Sequence, residues 1–143
     1  MRLPIAAAIA KATLIKISVD RRKFAFYWLP AYLYMGMIFY LSSQSRPPVP
    51  EFILRQDKIA HLIEYAVLGL LLIRALNKEY PGRSFLALKL TALAVSAIYA
   101  ASDEFHQRFV PGRNSCLPDW TIDSAGAFLG SFFTVKRDIL RKA

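Results

Sequence analysis

A chain of 143 residues that is 55% hydrophobic and 13% aromatic has room for one domain and is too apolar to be a disordered one. Its formal charge of +9 would suit a polyanion, but the basic residues sit in the connections and termini of apolar segments, which speaks against a nucleic-acid binder. The single cysteine, Cys116, excludes an intramolecular disulfide and any cysteine-based zinc site.

Residues 1–23 are basic and only briefly apolar. Lys11 and Lys16 break the apolar stretch, and no convincing small-x-small cleavage site precedes the charges. The segment reads as a cytoplasmic one, suited to lie as a helix on anionic headgroups, rather than as a cleaved signal peptide. Residues 24–41 then run for 18 positions without a charge, which meets the threshold for a spanning helix. Pro30 either kinks this helix or is absorbed in its first turns. Ser42 to Pro50 reads as a turn-rich loop.

A second span begins near Asp57 and stops near Asn77, with its apolar stretch at 59–73. A Pro81-Gly82 turn follows. The third span covers 85–101, interrupted only by Lys89, with small residues at four-residue spacing in Ala92, Ser96 and Ala100. A second loop, 109–118, contains Pro111-Gly112-Arg113. The fourth span covers 120–135 and carries Gly126 and Gly130, a spacing that lets another helix of the same chain approach closely. The fold expected is all-α: an integral-membrane four-helix bundle at 24–135, preceded by the basic segment 1–23 and followed by a basic cytoplasmic tail, 136–143.

Orientation follows from the lysines and arginines. With four spans, one side receives Arg2, Lys11, Lys16, Arg21, Arg22, Lys23, Arg74, Lys78, Arg83, Lys89, Lys136, Arg137, Arg141 and Lys142, fourteen of the 19 basic residues. The positive-inside rule puts that side, with both termini, in the cytoplasm. The acids are distributed the other way. Glu51, Asp57, Glu64, Asp103, Glu104, Asp119 and Asp123 flank the two outer loops, and both histidines are there too.

On a helix, positions 57, 61 and 64 fall within about 60° of one another, so Asp57, His61 and Glu64 form one stripe. Asp119 and Asp123 repeat the spacing on the fourth span. The third ends with Asp103 and Gln107 on one face and Glu104 with Arg108 on another. Together they can form an outward cup, in which Asp57, Asp103, Glu104, Gln107, Arg113, Asp119 and Asp123 are the candidate ligand-binding residues. Several roles fit. His61 with Glu64, joined by Asp103, Asp119 or Asp123, suits a divalent metal ion. Glu64, the deepest outer carboxylate, or His61 suits general acid/base catalysis. Equally, the groups can satisfy one another, with Arg108 or Arg113 neutralising the acids. Arg113 also presents a fork that fits phosphate oxygens.

The ordered set Asp57-Lys58-x-x-His61-x-x-Glu64-Tyr65-x-x-Leu68-Gly69, Ser102-Asp103-Glu104-x-x-Gln107, Pro111-Gly112-Arg113, and Asp119 with Asp123-x-x-Gly126-x-x-x-Gly130 resembles the VanZ-like family. The Leu41-Ser42-Ser43-Gln44-Ser45 end of the first span is similar to it as well. At the last motif that family frequently has Asn where this chain has Asp123. The resemblance implies a small integral membrane protein of the bacterial cell envelope, in a family whose founding member is associated with low-level resistance to the glycopeptide teicoplanin. The reading that follows is a membrane protein whose cup binds a lipid-linked or phosphate-bearing envelope molecule, in contact with membrane lipids. Its rivals are a membrane-embedded hydrolase or transferase using Glu64 or His61, and an accessory protein whose polar cluster is structural.

Overall fold

The computed structural model describes residues 21–45, 51–113 and 117–140, with side chains over 21–45, 58–113 and 117–133. The described residues are all-α. Four long helices follow in order: α1 Arg21–Ser42, α2 Glu51–Glu79, α3 Phe85–Gln107 and α4 Leu117–Leu140. The expected interfacial helix before residue 21, the proline run 46–50 and Cys116 lie outside the described residues.

Three stretches are long and apolar enough to cross a membrane: α1, the Lys58–Glu79 part of α2, and α3. At about 1.5 Å per residue, each reaches the roughly 30 Å of a hydrocarbon core. α4 has 24 residues, but Asp119, Asp123, Lys136, Arg137 and Asp138 shorten its uncharged stretch. By composition, then, three spans are evident where the sequence suggests four.

Pro30 is absorbed rather than kinking the helix sharply. Phe24–Trp28 form a π-helical turn in which the Leu29 N–H donates to the Phe24 carbonyl. Widening the ladder there delivers Pro30 to the first turn of the α-helical stretch Leu29–Ser42, where its missing N–H costs least. Other boundaries move outward from their expected places. α2 starts at Glu51 rather than near Asp57, since a helix is free to begin directly after a proline. α3 continues past Ala101 to Gln107, so its acids sit on helical turns. α4 continues through 136–140, residues expected as tail.

Two turns repeat one design. The Arg83 N–H donates to the Tyr80 carbonyl at 3.3 Å, and the Arg113 N–H to the Val110 carbonyl at 3.2 Å. Between them Gly82 (φ 94°) and Gly112 (φ 78°) follow a proline in the left-handed region, as a type II turn requires.

The most extensive helix pairing is α2 with α4. Glycine makes it possible. A Cβ added to Gly126 would overlap the Leu62 carbonyl oxygen, one on Gly130 the Ala66 carbonyl oxygen, and one on Gly69 the Ala127 carbonyl oxygen. The GxxxG spacing therefore serves packing within this chain. Ala92, Ser96 and Ala100 are likewise fully buried along α3.

Inside and outside are inverted relative to a water-soluble bundle. Phe26, Leu33, Ile98, Phe105 and Phe133 stand exposed, while His61, Asp103, Glu104, Gln107 and Asp123 are buried. Such a surface suits lipid, and such an interior suits a membrane protein whose polar groups face one another. At the far end from these acids, Arg74 and Lys78 lie over the Tyr27 ring at 5.0 and 5.6 Å, and Trp28 Nε1 donates to Glu79 at 3.4 Å. Aromatic and basic side chains combine in this way at a membrane–water boundary.

If the α2–α4 contact is set by backbone, one methyl should break it. Gly130→Ala is expected to cost on the order of 3 kcal/mol and to lower the thermal midpoint in detergent. Gly36→Ala, where an added Cβ meets nothing within 4 Å, should leave the midpoint unchanged.

Candidate functional site

Antiparallel neighbours bring four helix ends together: the C-termini of α1 and α3 and the N-terminal parts of α2 and α4. Three of the four helices supply the innermost groups. His61 comes from α2, Glu104 from α3 and Asp123 from α4; all three are buried. His61 Nδ1 lies 3.0 Å from Asp123 Oδ1, with the Asp123 side chain only 1% exposed. A carboxylate can only accept, so the ring donates from Nδ1 and keeps Nε2 for another purpose. One potential ligand atom from each of His61, Glu104 and Asp123 lies within 4.8 Å of the others.

A second layer surrounds this one. Ser42 Oγ donates to Asp103 Oδ1 at 2.5 Å, and Gln107 Nε2 donates to Asp103 Oδ2 at 2.9 Å. Both oxygens of Asp103 are thereby engaged, Oδ1 joining α3 to α1 and Oδ2 held by a side chain one turn along α3 itself. Ser43 Oγ and His106 Nε2 are 3.1 Å apart, making a second bond between the same two helices. Arg113 Nε donates to the Gln44 carbonyl at 3.1 Å and Nη2 to the Leu41 carbonyl at 2.6 Å. These carbonyls end α1, where a helix has acceptors to spare and a partial negative charge. The Pro-Gly turn thus places a guanidinium as a cap on a helix remote in sequence.

No curated protein and no solved structure matches the chain. A family model described as VanZ/LLP1 matches residues 9–140, which include every group of the cluster. The chain belongs to the VanZ/LLP1 family. In this VanZ/LLP1 protein the long apolar helices fit a membrane protein as well.

The residues singled out from sequence divide by position. His61, Asp103, Glu104, Gln107 and Asp123 are buried at one end. Glu64 is half-buried and within electrostatic reach of His61 and Tyr34, but is not in the set of converging ligand atoms. Asp103, expected beside His61 and Glu64 as a metal ligand, is instead held by Ser42 and Gln107. The converging carboxylates are those of Glu104 and Asp123, because α3 and α4 both approach the His61 side of α2. Asp119 is half-exposed near the same end, within electrostatic reach of His61 and Asp123. Arg113 reaches the end of α1, and the Asp57 side chain lies outside the described ones.

Four contributors were not singled out from sequence as site residues: Ser42, Ser43, His106 and Tyr65. Tyr65 is fully buried, and its hydroxyl has no hydrogen-bond partner among the described residues. Its neighbours in the electrostatic sense include Asp123, Asp103 and Glu104. A phenol one residue after Glu64 in an apolar segment was the available signal. For Ser42 it was a pair of hydroxyls ending a charge-free run.

Proposed function

We propose that this VanZ/LLP1 protein spans the bacterial membrane four times, keeps both termini in the cytoplasm, and uses its polar end on the extracytoplasmic side to bind the headgroup of a lipid-linked, phosphate-bearing envelope molecule. The observation that carries this reading is the burial of His61, Glu104 and Asp123, contributed by three helices, at one end of an otherwise apolar assembly. Polar groups at membrane depth are costly, and a scaffold alone would be served as well by apolar ones. The fourth crossing by α4 is consistent with this, since its Asp123 faces the interior and pairs with His61. The fourteen basic residues grouped on the other side support the orientation. Arg108, which ends α3 beside the buried Gln107, brings guanidinium charge to where a phosphate would sit. A lipid tail would remain among the exposed Phe and Ile side chains while the headgroup enters between helix ends. The association of the family's founding member with low-level teicoplanin resistance is not carried over to this chain.

The His61–Asp123 pair favours one other reading. A carboxylate that fixes the imidazole through Nδ1 leaves Nε2 directed as a proton acceptor, the arrangement of a general base. A hydrolase or transferase acting on the same headgroup would use it, with Glu64 as the nearest half-buried acid. Turnover that survives both His61→Gln and Glu64→Gln in normally expressed protein would remove the enzyme reading.

Two measurements bear on the main reading. For orientation, alkaline phosphatase joined after Asn114 should be active and after Gly82 inactive; the reverse pattern would put the polar end in the cytoplasm. For the ligand, lipid mass spectrometry of protein purified in mild detergent should show a phosphate-bearing, lipid-linked species enriched over the bulk membrane extract. Arg108→Ala should reduce that enrichment by about tenfold, the equivalent of one charge-assisted hydrogen bond. Co-purified lipid indistinguishable from the bulk extract would contradict the reading.

A further inference from the structure

We infer that His61, Glu104 and Asp123 form a binding site for a divalent first-row transition-metal ion, with zinc or manganese as the chemical class. Three helices deliver one nitrogen and two carboxylate oxygens to within 4.8 Å of one another. Ligands about 2.1 Å from one ion and roughly 90° apart are separated by about 3.0 Å. His61 Nδ1 and Asp123 Oδ1 are 3.0 Å apart, a hydrogen bond in the metal-free protein and ligand spacing once an ion takes the place of the Nδ1 proton, which shifts to Nε2.

Independent observations point to an occupant. The Asp123 side chain is 1% exposed, and its Oδ2 has no hydrogen-bond partner among the described residues. The Tyr65 hydroxyl, wholly buried, is also without a partner and lies within the electrostatic reach of Asp123 and Glu104. Leaving two buried polar groups unsatisfied costs on the order of 1–3 kcal/mol each. A cation resolves both: Asp123 can ligate it, and a water on the ion can accept from the tyrosine.

The donor set selects the class of ion. Magnesium and calcium favour all-oxygen coordination, whereas an imidazole with carboxylates suits zinc or manganese. Asp103 serves beside the site rather than in it, with both oxygens taken by Ser42 and Gln107. Three protein ligands leave coordination positions for water or for a phosphate oxygen. The ion would thus give the headgroup proposed above a direct contact, but its binding does not depend on that reading.

The test is the metal content of full-length protein, purified without an oligohistidine tag and measured by inductively coupled plasma mass spectrometry. After dialysis against trace zinc and manganese, about one equivalent of one of them is expected per chain, with magnesium absent. Asp123→Asn and Glu104→Gln should each lower occupancy at least about tenfold, and Ser43→Ala should not change it. A readout free of variants accompanies this. Zinc or manganese should raise the thermal midpoint of the unaltered protein, and EDTA should reverse the rise. Metal content below a tenth of an equivalent with no midpoint shift would overturn the inference, as would full occupancy in folded Asp123→Asn and Glu104→Gln proteins. Lipid enrichment, measured on the same samples, reports on the headgroup reading separately.

Discussion

Backbone contact between α2 and α4 is the constraint on which the rest of the structure depends. Gly69, Gly126 and Gly130 leave no space for a side chain between the two helices, so neither can slide or rotate without a clash. That contact fixes the height of Asp123 against His61, three residues before the first glycine of α4 and one before the Leu62 carbonyl on α2. A 3.0 Å hydrogen bond tolerates little error, and rigid packing is what supplies the accuracy. α3 then completes the cluster. Its own small face of Ala92, Ser96 and Ala100 is fully buried, and Glu104 follows from Ala100 one turn later on that face.

Polar groups at this end serve two purposes that the geometry separates. Asp103, Gln107, Ser42, Ser43, His106 and Arg113 bind helices to one another. Arg113 is the clearest case, since it closes the end of α1 from a loop some seventy positions away. Such bonds matter in a membrane, where lipid gives helices little hydrophobic reason to associate. His61, Glu104 and Asp123 are different. They gather more buried charge than helix association needs, and Asp123 Oδ2 is left without a hydrogen-bond partner among the described residues. The outer layer holds the helices in register, and the inner layer is held by them.

The sequence was most legible where one dimension was enough. A charge-free run of 18 residues showed α1, and the Pro-Gly pairs showed both turns. Gly126 and Gly130 suggested close packing but not the partner, because spacing on one helix says nothing of what crosses it. The same limit applied to the site. His61 and Glu64 share a stripe, yet the residues that meet His61 come from other helices, and their heights depend on the glycine contacts. Asp103 and Glu104 lie about 100° apart on α3, on different faces, although both are candidates for the cup. Both are interior, since α3 meets α1 on one side and α2 with α4 on the other. The π-helical turn before Pro30 has no signature in composition. The length of α4 was underestimated because its polar ends lowered its apparent apolarity.

The most direct test of the account is nitrogen NMR of the imidazoles in metal-free protein, since the chain has only two histidines. His61 should hold its proton on Nδ1, exchange it slowly with water, and shift when Asp123 becomes Asn, with His106→Gln assigning the signals. A His61 ring bearing its proton on Nε2, or signals indifferent to Asp123→Asn, would contradict the account, because α4 would not then be delivering Asp123 to α2.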